Sequence, residues 1–218
     1  MKADTFNLFL NVLDSQRAEV FNKLAGSFED WYLAGGTALA LQIGHRISFD
    51  FDLFSQHKID PALRQEIIRA FGDNIHFSMD TNEQLTFFTP SQVKITFAVT
   101  PYKPIYPLIS FQKLKIESIQ DIAADKAFTI GRRGAFRDYV DLYFILSKDI
   151  PLESVVRGGI RKYGAMFDEK LFLEQLDYME DVADFSIEYI GDRLSKEKIN
   201  ETLHQIIRVY LKEKKAAV

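Results

Sequence analysis

The chain contains no cysteine. That excludes a disulfide scaffold, a thiolate metal site and a thiol nucleophile, and it fits a reducing cytoplasm. Long apolar runs are missing as well. No window reaches about 18 uninterrupted apolar residues, so no membrane span is expected. The opening residues, MKADTFNLFLNVLDSQ, lack the positive segment and continuous apolar core of a signal peptide, and a cytoplasmic location is the expectation. Positive charge is short: 27 Lys and Arg stand against 31 Asp and Glu, a formal net charge of −4. No global cationic surface therefore draws the chain to nucleic acid, although a local basic patch is compatible with this balance. Internal repeats and low-complexity segments are also lacking. What is there, 47% hydrophobic and 27% charged residues over 218 positions, can bury a full core as one domain or as a core with an appended lobe.

The first half alternates helical and strand-like patterns. Phe6, Phe9, Leu10, Leu13, Val20, Phe21 and Leu24 recur at helical spacing, which predicts one or two amphipathic helices over residues 3–25, ended by Gly26. Trp31–Ala34 reads as a strand, Thr37–Ile43 as a short helix and Ser48–Phe54 as a second strand. Asp60 and Pro61 read as N-cap and first turn of a helix reaching Phe71 and stopping at Gly72. Three β-like runs follow, Ile75–Met79, Gln84–Phe88 and Val93–Val99, with turns at residues 80–82 and 90–91. Prolines at 101, 104 and 107 mark a rigid connection. Beyond it Ser118–Ile130, Ala135–Ser147, Leu152–Tyr163, Asp168–Tyr178 and Lys196–Lys212 read as helices. Ser118 with Asp121 resembles a capping box, and the KEKKAAV tail is expected to fray. The expectation is an α/β (α+β) core over residues 1–100, a small mixed sheet with packed helices, and an all-helical lobe over 101–218.

Chemistry concentrates in WYLAGGTALALQIGHRISFDFDLF, residues 31–54. Gly35-Gly36 after a strand allow a tight turn and close backbone approach, and amides at the start of the Thr37 helix can hold a phosphate. A plain strand-to-helix turn explains the same pair, and Thr37 can serve as a cap. Asp50 and Asp52 stand two apart in a strand and so face one side, with Phe49, Phe51 and Leu53 facing the core. An acidic edge strand gives that pattern too; the glycine turn one short helix earlier favours a divalent cation. Arg46 has the geometry for a bidentate phosphate contact, with Ser48 beside it in the same loop. His45 can hydrogen-bond substrate or brace that loop. From Lys103 to Arg137 seven cations (Lys103, Lys113, Lys115, Lys126, Arg132, Arg133, Arg137) face three anions (Glu117, Asp121, Asp125), a basic segment suited to a triphosphate or an RNA backbone. Lys126 lies mid-helix, where a solvated lysine is the ordinary case. Arg137, Asp138 and Asp141 stand at helical spacing, where an i,i+4 ion pair is equally normal.

The stretch LAGGTALALQIGHRISFDFDLF resembles the glycine-turn and metal-carboxylate motif of the AbiEii/AbiGii-type toxin nucleotidyltransferases, within the DNA polymerase β-like nucleotidyltransferase superfamily. SIQDIAADKAFTIGRRGAFRDYVDLYFIL is similar to the second conserved block of that family. The two blocks are specific together, and the resemblance covers roughly residues 28–150. It implies that Gly36 and Thr37, with Gly35, cradle nucleotide phosphates and that Asp50 and Asp52 hold Mg²⁺. It implies that Lys126 approaches the triphosphate in the region of Arg132 and Arg133. Asp138 and Asp141 match the acidic positions of the second block, one of them essential in active relatives.

One departure stands out. Many superfamily members supply a third carboxylate from a neighbouring strand, and here that strand reads Val93-Lys94-Ile95-Thr96-Phe97, with Thr96 where an acid is expected. Three readings follow: a one-metal or differently assisted enzyme, an acid recruited from elsewhere such as Asp141, or a protein that binds nucleotide without transferring it. The sequence thus points to a Mg²⁺-dependent, toxin-like nucleotidyltransferase taking an NTP. The resemblance makes RNA the acceptor, with a tRNA 3′ end as one candidate, and implies a cognate antitoxin. The alternatives are a transferase acting on a protein or small molecule, and a catalytically silent nucleotide-binding or interaction protein.

Overall fold

The computed structural model describes residues 7–130, 132, 134–148, 150–183 and 186–216. The chain divides into two compact units between Ser118 and Ile119.

In the first unit, helix α1 (Ser15–Ser27) begins where the Asp14 carboxylate accepts the Arg17 amide at 2.8 Å. Only a three-residue 3₁₀ turn, Leu10–Val12, precedes it among the described residues. Strand β1 (Tyr32–Ala34) runs without a break into α2 (Gly35–Ile43), and β2 (Phe51–Ser55) follows. Helix α3 (Pro61–Phe71) has the expected bounds: Asp60 caps it through the Leu63 amide, Pro61 occupies the first turn and Gly72 ends it at φ +84°. Strands β3 (His76–Asp80), β4 (Gln84–Phe88) and β5 (Lys94–Val99) match the three predicted runs to within a residue or so.

Two further strands were not foreseen. β6 (Ile109–Phe111) and β7 (Leu114–Ile116) form a hairpin, and β7 lies parallel to β1 with Leu33 opposite Ile116. The turn residue Gln112 takes φ +54°, a conformation that Asn or Gly usually signals in a hairpin, so the sequence pattern was silent. With this pair the mixed sheet has seven strands in the order β3-β4-β5-β2-β1-β7-β6. The segment after the prolines therefore belongs to the sheet, and the unit closes at Ser118 rather than near residue 100.

The pleat sorts the sheet into two faces. Leu33, Phe51, Leu53, Leu85, Phe87, Ile95, Phe97 and Ile116 are fully buried. They meet an aromatic cluster in which Phe28 and Trp31 lie 5.0 Å from Phe97, and Phe71 lies 5.3 Å from Phe87. Phe28 directly follows α1 and Phe71 ends α3, so these two helices cover that face. Alternation sends Ala34, Asp52, Thr96 and Thr86 to the opposite face.

The second unit is helical among its described residues: α4 (Ile119–Ile130), α5 (Phe136–Leu146), α6 (Leu152–Tyr163), α7 (Glu169–Asp177) and α8 (Lys196–Ala216). α4 packs close to α6, where a β-carbon on Gly158 would stand 3.3 Å from the Ala124 methyl. Asp121, the expected capping partner, lies fully buried in the first turn of α4 and pairs with Lys162 at 3.2 Å. The buried Tyr139 donates its hydroxyl to the carbonyls of Gln175 and Tyr178 at 3.0 and 3.3 Å, and burial pushes its pKa up to about 12. Ile199, Leu203, Ile207 and Tyr210 form the buried stripe of α8. α8 continues past Lys212 to Ala216, and Lys214 and Tyr210 both reach Glu169; the last two residues of the tail lie outside the described residues.

Candidate active site

The turn from β1 into α2 is built on glycine. Gly35 takes φ +66°, where a β-carbon costs about 1–2 kcal/mol. Ala34 occupies the N-cap and makes no side-chain cap bond, and the helix starts at Gly35, two residues before Thr37. Such a start presents backbone N–H groups and the positive end of the helix dipole. Asp52, opposite Ala34 in the ladder, sends its Oδ2 to 3.7 Å from where a Gly35 β-carbon would be. That distance is ordinary contact. Gly35→Ala is therefore expected to lower unfolding stability by about 1–2 kcal/mol through backbone strain rather than collision, a loss that urea denaturation would read.

Thr37 is a structural tie. Its hydroxyl lies 2.7 Å from Ser48 Oγ and donates to the Asp50 carbonyl, joining α2 to the loop that leads into β2. His45, Arg46 and Ser48 are buried at 2%, 4% and 5% exposure. Arg46 Nη1 donates to the Ile47 carbonyl at 3.1 Å, so this guanidinium braces its own loop. Arg17, which the sequence reading did not single out, braces it from α1: Nε donates to the Phe49 carbonyl at 3.0 Å and the guanidinium lies 4.9 Å over the Phe49 ring. β2 begins at Phe51 rather than Ser48. Asp52 is thus fixed by strand pairing, while Asp50 sits one residue before the strand with its carbonyl held by Thr37. Both aspartates are half-buried.

The neighbouring strands supply hydroxyls. Asp52 stands opposite Thr96 in the parallel β2–β5 pair, and Thr96 opposite Thr86 in the β5–β4 pair. The two threonine hydroxyls lie 3.4 Å apart and are buried. The row across three strands therefore reads carboxylate, hydroxyl, hydroxyl. Among the described residues no three His, Asp or Glu gather as a ready metal cage. Magnesium does not need one: it is commonly held by one or two carboxylates with substrate phosphates and water completing the shell. Asp50 and Asp52, hard oxygen donors near the start of α2, fit one such ion.

The second block lies in the helical unit. Lys126, on α4, is buried, with Nζ 2.8 Å from Asp138 Oδ1 and 2.7 Å from Asp141 Oδ2, both on α5. It is not a solvated lysine, and Asp141 faces Lys126. Burial alone would lower the lysine's pKa, but the Asp141 and Asp138 carboxylates outweigh it and hold the value above the ordinary 10.5. Asp138 Oδ2 is buried without a hydrogen-bond partner. Arg132 and Arg137 are exposed; Arg133 lies outside the described residues. The structure thus gathers Gly35, Gly36, Thr37, Ser48, Asp50 and Asp52 in the first unit, and Lys126, Asp138 and Asp141 in the second.

A family model described as the nucleotidyl transferase AbiEii toxin of type IV toxin–antitoxin systems matches residues 20–215. An uncharacterised protein of Aquifex aeolicus (strain VF5) is 29% identical over 222 residues, 91% of this chain and 98% of that protein. A Helicobacter pylori protein assigned as a nucleotidyltransferase superposes with a TM-score of 0.58 at 18% identity, covering 96% of this chain and 97% of the other. MenT4, a nucleotidyltransferase toxin of Mycobacterium tuberculosis H37Rv, superposes with a TM-score of 0.57 at 13% identity over 87% of this chain and 81% of its own. These two structures share the fold. No helix among the described residues is long and apolar enough to cross a membrane.

Proposed function

The chain belongs to the nucleotidyl transferase AbiEii toxin family, and from that premise we propose that it transfers a nucleotide from an NTP to a hydroxyl of RNA. The 3′ end of a tRNA is the first acceptor to try. The observation that carries this reading is the start of α2 at Gly35, on an N-cap alanine that makes no side-chain bond, with the Asp52 carboxylate beside it. Amides of Gly35, Gly36 and Thr37 would take phosphate oxygens; the Thr37 hydroxyl is already engaged, so its contribution is its N–H. Asp50 and Asp52 would hold Mg²⁺, which when bound neutralises charge on the phosphates.

The acceptor hydroxyl forms a bond to the α-phosphorus, and the bond from that phosphorus to the oxygen bridging to the β-phosphate breaks. Pyrophosphate leaves with the bridging oxygen. Thr96 and Thr86 supply no base, so the hydroxyl's proton passes to solvent water. Lys126, Asp138 and Asp141 are proposed as required for transfer on the strength of the second block, with Arg132, Arg133 and Arg137 as nucleotide-binding cations. The family further implies a cognate antitoxin, and a reaction between NTP and tRNA would run in the cytoplasm.

The neutral row beside Asp52 favours a second reading, a silent protein that binds NTP and does not transfer it. Incubation with Mg²⁺, labelled NTPs and total tRNA separates the two. Label on tRNA that disappears with Asp52→Ala supports transfer; NTP binding without label on tRNA, protein or small molecules supports the silent reading.

A further inference from the structure

Arg132 lies just beyond the end of α4, and it is both exposed and fixed. Its Nη1 donates to the Phe128 carbonyl at 3.0 Å and its Nη2 to the Met166 carbonyl at 3.1 Å. The guanidinium carbon stands 3.6 Å from the centre of the Phe128 ring. Phe128 in turn stacks on Tyr163, with centroids 3.7 Å apart and planes 1° from parallel. The inner end of this stack is anchored: the Tyr163 hydroxyl donates to Asp125 Oδ1 at 2.7 Å, and the same oxygen lies 2.5 Å from the buried Lys162. Burial pushes the Asp125 carboxyl up, against the pull of Lys162.

An exposed arginine usually keeps its rotamer freedom or spends its charge on a carboxylate. Arg132 does neither: no salt bridge to a carboxylate is found for it among the described residues, and two carbonyls hold its plane. One face of the guanidinium is covered by Phe128, and the residue remains exposed. Met166, whose carbonyl holds the fork, is itself 57% exposed. A fixed cationic plane continuing an aromatic stack is the surface on which nucleobases pack, because every base has a π-face. The remaining N–H donors of the fork can take a phosphate oxygen.

We propose that the Arg132–Phe128–Tyr163 stack is a platform for the base of a nucleotide, so that Arg132 stacks as well as supplying charge. The inference rests on the nucleotidyl reading for its ligand class. Two sources share that chemistry, the NTP and the terminal nucleotide of an RNA acceptor. The competing role for Arg132 is a clamp from the end of α4 to Met166.

The test uses 2-aminopurine, whose fluorescence falls when it stacks. One arm carries it at the 3′ end of a short single-stranded RNA, the other as the riboside triphosphate. The full chain is compared with Arg132→Ala and Arg132→Lys, each with a thermal melt. Quenching is expected in one or both arms with the wild type. It should be lost in Arg132→Ala and in Arg132→Lys, with affinity reduced about tenfold. Quenching by RNA alone assigns the platform to the acceptor, and by the triphosphate alone to the substrate. The proposal is overturned if Arg132→Lys quenches like the wild type, if Arg132→Ala does, or if the wild type quenches in neither arm. A clamp alone lowers the melting temperature of both variants and gives no wild-type quenching. Should Arg132→Ala melt early, the lysine variant decides. Quenching by a protein that transfers no nucleotide would leave the platform standing and remove the transferase reading.

Discussion

Lys126→Met is expected to destabilise the fold by about 3–5 kcal/mol, the cost of leaving buried carboxylates without their cation. Asp138 and Asp141 are 10% and 0% exposed at the side chain, and the ammonium lies 2.8 and 2.7 Å from them. Methionine fills much of the volume of the lysine stem but returns none of the charge. Urea denaturation reads the loss. Replacing all three residues, Lys126→Met with Asp138→Asn and Asp141→Asn, should recover part of it, because amides carry no charge to bury. The pH dependence has a fixed sign. The folded pKa of Lys126 lies above the ordinary 10.5, so its contribution is complete at neutral pH and below. That contribution is lost only as pH rises through the folded value, in the alkaline range above 10.5.

Asp52→Asn is expected to lower nucleotidyl transfer by about 10³-fold, since removing metal-held charge stabilisation is worth several kcal/mol. The substitution keeps shape and volume beside Gly35, so unfolding stability should change far less than activity. A Mn²⁺ titration in the presence of a non-hydrolysable NTP supplies a readout independent of turnover. One ion per chain is expected in the wild type, because the row next to Asp52 offers hydroxyls where a second ion needs a carboxylate. The affinity for that ion should fall in Asp52→Asn. Two ions in the wild type would show that a further carboxylate reaches the site.

The parts of this molecule that local chemistry dictates were open to reading. Asp60, Pro61 and Gly72 bound α3 because capping and backbone geometry act within a few residues. Thr96 falls beside Asp52 because strand pairing carries alternation across the sheet. Gln112 hid the β6–β7 hairpin, since a left-handed turn on a residue other than Gly or Asn leaves no mark in the sequence. The burial of Lys126 was equally hidden. Its partners approach from α5, and a run of cations does not say which of them a second helix will cover. Arg46 and Thr37 show the same limit: both residue types suit a phosphate, yet their hydrogen bonds brace the loop before β2.

The most direct test of nucleotidyl transfer compares two labels on one NTP. With Mg²⁺ and RNA, a label on the α-phosphate is expected to enter the acceptor and a label on the γ-phosphate to leave in pyrophosphate. Label from the γ-position in any acceptor would make the protein a phosphoryl transferase, and no incorporation from either position, with the NTP bound, would make it a silent binder.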